Sequence, residues 1–570
     1  MKNLLNIAFI YLFCNYAIGQ KSAINTDVIN IKSSYKPKVS DASKVTEEPV
    51  KPKKEETKKL GYKIQSKPVK SIFKPTKDRY ITQDQTKKNN PELSYLRFGI
   101  GSYLSTSTDA FFKKSIDEHT GQIYFNQQGS SQDIKNTIVN STYNDSRIDL
   151  NYQNQQEDKL WAASTSFERS IYNWYGIPEA LFEQINTGAL VLDPEQIYTR
   201  FSLGGKIITD KKWLTETRAN LNTTSDKYGT SELAFGISPD TEVTIGDVKI
   251  QMHNHLNFLN GKFSSNYENT QAISYSYFNL GSHARYLYQS DKFQLDIGLK
   301  LLYNSELISG ENRLYFFPKI KSEYPIIDEL LFLHAEVSGD LNANMYSEIT
   351  KLNPFLSPTA IIKPTEYKHK ILLGAKGRLA SKISYDLSLS YKSIVDQLLL
   401  QSNQNLYDGT NNLRLNSYQY GNSFSPVYEN LSVIETLAEI NGKLTEQIQV
   451  GGTLSLFSYY MTSQQKPWNL PLATLTGFGS YTLSKLKVKA LLLINGRRYD
   501  LKSNLDTPPE IIRLNPYIDM NILGEYTLHK DWRIFLECNN LFNSNYQRYM
   551  NFGVQGIQLQ AGILYKFSLK

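Results

Sequence analysis

The chain has 570 residues, 63 Lys and Arg against 55 Asp and Glu for a formal charge of +8, and only 2 Cys. A mean hydropathy of −0.42 and the lack of any apolar run of about 20 residues exclude a helical membrane protein, and two cysteines exclude a disulfide-built fold. Aromatic side chains make up 12%, with 39 Tyr against 26 Phe and 5 Trp, an excess that suits ring girdles at a membrane–water interface.

At the N-terminus, Lys2 precedes a short apolar stretch from Leu4 to Phe13, and Ala17-Ile18-Gly19 offers small side chains for cleavage. An apolar core of about ten residues is half the length needed to cross hydrocarbon, so residues 1–19 read as a secretory signal peptide with Gln20 as the first mature residue. Cys14 follows the bulky Phe13, which argues against lipidation there, and its removal leaves Cys538 alone. Residues 20–93 then form a basic, Lys- and Pro-containing segment with few apolar side chains, including Lys51-Pro52-Lys53-Lys54 and Lys74-Pro75. Such a segment cannot bury a core and is expected to be disordered in the periplasm. Between 21 and 90 there are 18 basic and 8 acidic residues; with Lys2 set aside, 44 basic and 47 acidic residues remain for 91–570, a net of −3. The positive charge therefore belongs to this segment, which reads as a solvated linker, a dock for anionic partners or an insert in a lumen. Nucleic acid is excluded as a partner of an exported chain.

From Ser94 onward the apolar residues alternate with polar ones, the period of a strand that meets lipid on one face and water on the other. Phe293, Leu295, Ile297, Leu299, Leu301 and Tyr303 oppose Gln294, Asp296 and Lys300. Ile383, Tyr385, Leu387, Leu389 and Tyr391 oppose Lys382, Ser384 and Asp386, and Leu486, Val488, Ala490, Leu492 and Ile494 oppose Lys485, Lys487 and Lys489. Short polar turns are expected near Glu118 and at Glu157-Asp158, Asp210-Lys211-Lys212, Asn260-Gly261-Lys262, Ser290-Asp291-Lys292, Asp328-Glu329, Ser381-Lys382, Thr445-Glu446, Ser484-Lys485 and His529-Lys530-Asp531. Ten turns on the side of both termini imply about 22 strands, within a range of roughly 18 to 24. The expected fold is all-β: a large transmembrane antiparallel β-barrel over residues 94–570, closed because no open edge survives in hydrocarbon. A soluble two-sheet sandwich would show the same alternation but not the signal peptide or this number of strands.

The last strand alternates most clearly, with Ile557, Leu559, Ala561, Ile563, Tyr565, Phe567 and Leu569 opposite Gln558, Gln560, Lys566 and Ser568. Together with Asn540-Leu541-Phe542 and Tyr546 ahead of it, this C-terminal hairpin resembles that of TonB-dependent receptors, whose aromatic-rich last strand is read by the barrel-assembly machinery. The resemblance implies a large barrel of this family's type in the cell outer membrane, with lipid and that machinery as partners. It covers the C-terminal thirty residues or so. The family's globular plug has no counterpart in residues 20–93, so the expectation is a plugless barrel, and the family's energised uptake does not follow.

Chemistry is sparse. His253 and His255, two apart on an expected strand, share a face that would be the lumen if Val248, Ile250 and Met252 meet lipid, and a metal would need further ligands. No catalytic motif, metal site or cofactor site is expected, and the chain reads as a non-enzyme. Transport or channel function for an unknown solute is the first reading. The alternative is an anchor or scaffold in a secretion or assembly complex, with a periplasmic or surface protein partner.

Overall fold

The computed structural model describes residues 94–569 apart from Ala189, Lys212, Asp291, Lys292, Ser381, 410–414 and Asp506. The expected signal peptide, with its cleavage residues Ala17, Gly19 and Gln20, and the basic segment 20–93 lie outside the described residues.

Twenty-two strands form one antiparallel sheet, each paired with its neighbour in sequence. They begin with β1 (Ser94–Gly101) and β2 (Ser105–Ile116) and end with β23 (Trp532–Asn539) and β26 (Gln558–Phe567); the short pairs β20–β21 (Arg498–Lys502, Glu510–Leu514) and β24–β25 (Gln547–Tyr549, Phe552–Gly553) stand apart from the sheet, in loops. The sheet closes where β1 pairs with β26, Ser94 opposite Phe567 and Gly101 opposite Gln560. Closure satisfies the backbone groups that an edge would leave bare in lipid. Both ends of the barrel chain therefore lie at one rim, the turn end, and the opposite rim is the loop end.

Ten short connections join strands at the turn end, as the polar turn signals require. One expected turn is misplaced. Asn260-Gly261-Lys262 lies inside β9 (Val248–Phe263), and the turn between β8 (Ser231–Ile245) and β9 is Gly246-Asp247, with Gly246 at φ 61°. Asn and Gly suggested a turn, but Gly261 is small for another reason: the ring of Tyr275 on β10 (Ile273–Ser290) lies over it, where a Cβ would collide. The false turn and the missed one offset each other, so the expected count of 22 still holds.

The alternation has the expected direction. Leu299, Leu389, Leu559 and Ile563 are exposed on the outer face, while Lys300, Gln560 and Glu537 point inward. Trp161, Tyr288, Tyr324, Tyr481, Tyr526 and Trp532 ring the outside near the turn end. Trp532 packs against Tyr565 with ring centroids 4.5 Å apart. These are amphipathic rings at the depth where hydrocarbon gives way to headgroups. No helix among the described residues is long and apolar enough to cross a membrane; the strands do so.

Strand length decides where the loops sit. β15 (Ile383–Ser402) and β16 (Phe424–Lys443) are each 20 residues long. At about 3.3 Å per residue and a tilt of about 40°, such strands rise about 50 Å, twice the ~25 Å apolar band. The wall thus stands well clear of the bilayer at the loop end.

Candidate functional site

The long connections 174–194, 343–364, 403–423, 496–516 and 540–557 all leave the loop end, and they turn inward. Their sequences explain why: each places apolar or aromatic residues inside a polar stretch, and these bury against each other. Trp174, Leu356, Tyr420 and Phe552 are at most 1% exposed. Trp174 packs on Tyr228 and Tyr418 at 5.4 and 5.5 Å between centroids. Phe355 stacks on Phe552 at 3.9 Å, and Tyr175 meets both rings edge-on. Phe424 and Tyr549 complete the cluster. Residue 174 follows β5 (Lys159–Asn173), 355 follows β13 (Leu331–Asn342), and 552 precedes β26. Loops rooted in well-separated parts of a barrel about 40 Å wide can touch only by reaching across its mouth.

The 343–364 connection is fixed to the wall by charge. It contains the helix Tyr346–Leu352, whose N-terminal amides have no partner within the helix. Glu232, a wall residue 4% exposed, accepts the Tyr346 and Ser347 N–H groups at 2.6 and 2.9 Å and the Tyr275 hydroxyl at 2.6 Å. Arg200 donates to Thr350 Oγ1 at 2.9 Å while paired with Glu168 at 2.7 Å. The Tyr346 hydroxyl donates to Asp226 at 2.7 Å. At the other end of the helix, Tyr549 and Arg548 donate to the Leu352 carbonyl oxygen at 3.3 and 3.4 Å, placing a cation at the negative helix terminus.

Two further carboxylates hold other loops. Glu429 accepts the N–H groups of Thr462, Ser463 and Gln464 and the Ser463 hydroxyl at 2.6–2.9 Å. Asp500, on the loop hairpin of β20 (Arg498–Lys502) and β21 (Glu510–Leu514), is fully buried and accepts the Ser402 N–H and hydroxyl at 3.0 and 2.7 Å. Burial raises the Asp500 carboxyl above its usual range despite these bonds.

Beneath the cluster, a pocket is bounded by wall residues Tyr143, Tyr172, Asn521 and Asn539 and by Phe355 and Arg548 from the loops. Many of its polar groups are already engaged: Tyr172 donates to Asp145, Asn173 to the Thr142 carbonyl, and Gln555 to Ser130. The lumen wall below carries cross-strand ion pairs, among them Arg97–Glu537 at 3.0 Å, Lys370–Glu336 at 3.2 Å and Lys392–Glu435 at 2.7 Å.

Among the residues of the C-terminal likeness, Asn540 is buried and staples its own loop, donating to the Ser544 and Gln555 carbonyls at 3.0 Å and accepting the Ser544 N–H at 2.9 Å. The Leu541 N–H donates to the Met520 carbonyl, and Phe542 is exposed. Tyr546 stacks on Tyr517 at 4.0 Å and donates to Asp519 at 2.9 Å. Tyr565 and Phe567 lie on the outer face of the closing strand, Phe567 against Phe112. His253 and His255 face the lumen, and no group of three or more His, Cys, Asp or Glu able to hold a metal stands together among the described residues. The inward loop cluster went unread in the sequence. Its only signal is aromatic residues, such as Trp174-Tyr175 and Tyr418-Gln419-Tyr420, within expected loops.

A closed sheet with an apolar exterior, a charged interior and a mouth crossed by its own loops defines a transmembrane β-barrel with a covered lumen. The sequence matches no family model and no curated protein. The fold is similar to solved barrels. The FrpB iron transporter of Neisseria meningitidis (F3-3 variant) superposes with a TM-score of 0.62 at 11% identity, over 84% of this chain and 82% of that one. The copper transporter OprC gives 0.59 at 11% identity over 84% and 82%. The siderophore receptor PirA of Acinetobacter baumannii gives 0.60 at 11% over 85% and 81%. The chain has the barrel fold of the TonB-dependent receptors.

Proposed function

We propose that this protein is an outer-membrane transport barrel, exported by its N-terminal signal and inserted by the barrel-assembly machinery, whose lumen is closed at the loop end by its own loops. The observation that carries the reading is the 343–364 connection, drawn inward and fixed to the wall at Glu232, Arg200 and Asp226. A barrel of 22 strands encloses a lumen wide enough to conduct unless something fills it. Long loops at one rim and short turns at the other set the orientation, loop end outside. Structural neighbours that carry iron, copper or siderophores support transport of a solute, whose identity this chain's own residues leave open. A neighbour solved as an FpvAI–pyocin S2 complex supports a protein partner, for which the loop end is the exposed surface.

Planar-bilayer recording tests the reading. Full-length protein should give low or intermittent conductance, and Glu232→Ala, which frees the helix N-terminus, should give open events of nanosiemens size. Equal silence from wild type, Glu232→Ala and a variant shortened within 345–360, all correctly folded, would favour an anchoring role.

A further inference from the structure

The expected histidine pair on β9 acquires a third member and a carboxylate in the fold. His253 stands directly across from His283 on β10, and His255 faces Gly281 one step along the same pair of strands. The His253 and His283 rings lie 5.8 Å apart between centroids at 27°. Asp240 on β8 is the partner of His253 on the other side, its Oδ1 3.0 Å from His253 Nδ1. An Nδ1–H donated to that carboxylate leaves Nε2 of His253 with a free lone pair, the tautomer in which metal-binding histidines are held. His283 Nε2 has no hydrogen-bond partner. The neighbouring strands make room for the rings: a Cβ at Gly281 on β10 would run into the His255 imidazole, and one at Gly298, on the strand Phe293–Glu306 beyond it, would meet His283 Nε2.

The geometry points to a two-imidazole site on the lumen wall, made by His253 and His283 and oriented by Asp240, for a divalent transition ion with affinity for nitrogen. With metal–nitrogen bonds of about 2.0–2.1 Å, two imidazoles on one ion have centroids roughly 4.5 to 6.5 Å apart as the ligand angle opens from 90° to 180°. The observed separation falls within that range; His283 Nε2 points at Gly298, so its ring must turn toward His253 for the two to share an ion. Water supplies the remaining positions, and Asp240 stays the orienting partner of His253. The nearby basic charge is partly offset: Lys300 and Lys319 share Asp340, and Arg285 pairs with Asp296 at 3.5 Å. His253 keeps 42% of its side chain exposed, so an ion in the lumen reaches it. This site stands independently of the transport reading.

The test is titration of the detergent-purified full-length protein with Cu²⁺ alone, read by electron paramagnetic resonance. The expected result is one site per barrel with two equivalent nitrogens, absent from His253→Ala and His283→Ala, each at least tenfold weaker in affinity. Asp240→Asn should keep the two-nitrogen signature and bind about tenfold more weakly, since a positioning partner of a metal-bound His is worth that much. His529→Ala, outside the lumen cluster, should bind as the wild type does. Heat-modifiable gel migration shows each variant to be folded. Two-nitrogen binding that survives in the folded His253→Ala/His283→Ala double variant, or no such site in the wild type at micromolar Cu²⁺, overturns the assignment.

Discussion

Glu232 accepts three hydrogen bonds, two of them from the leading amides of a helix more than a hundred residues away. Hydrogen bonds to a charged group contribute about 1.5–3 kcal/mol each, and a buried donor left bare costs a similar amount. Glu232→Ala should therefore lower the local opening free energy of residues 343–364 by at least about 3 kcal/mol. Hydrogen exchange of the Tyr346 and Ser347 amides measures it, and unchanged protection would mean that packing alone holds the helix. Gly562 supplies a second test. A Cβ there would strike the Phe98 carbonyl oxygen across the closing seam as well as the Phe535 ring. Gly562→Ala should thus reduce the fraction of heat-modifiable, closed barrel more than Gly553→Ala, where a Cβ meets nothing. None of these roles can be read from the sequence. The partners of Glu232 and Gly562 come from strands and loops far along the chain, and an inward-facing Glu looks like any other polar residue in an alternating strand.

At the scale of strands and loops, legibility follows from whether one physical constraint acts. A strand between lipid and water must alternate, and the segments around Leu299, Leu389 and Leu492 were readable for that reason. Asn260-Gly261-Lys262 misled because glycine serves two needs, turn geometry and close approach of a ring, and sequence does not separate them. The loops misled by composition: their polar majority hides the few aromatics that draw them inward. The lipid face makes a quantitative prediction. Leu389, 53% exposed on the outer surface, changed to Arg should destabilise the barrel by about 2–4 kcal/mol in urea titrations from lipid vesicles, whereas Ser384→Arg on the lumen face should cost far less. Equal costs would mean that the faces are assigned the wrong way round.

For the whole molecule, closure ties everything together: 22 strands, both ends of the barrel chain at the turn rim, and the loops gathered over the opposite mouth. The strand number was legible because each return costs one polar turn. The covered mouth was not, because it depends on which loops meet across the barrel. The most direct test of that arrangement is labelling of whole cells with a membrane-impermeant maleimide, using single cysteines in a Cys538→Ser background. Val191→Cys and Leu505→Cys lie at exposed loop positions, 87% and 45% accessible, Leu356→Cys lies at a buried position of the 343–364 connection at 0%, and His529→Cys lies at the turn end. Rapid labelling is expected of Val191→Cys and Leu505→Cys, none of His529→Cys, and labelling of Leu356→Cys only once the 343–364 connection is freed by Glu232→Ala. Rapid labelling of Leu356→Cys in the otherwise intact barrel, or any of His529→Cys from outside, would contradict that arrangement.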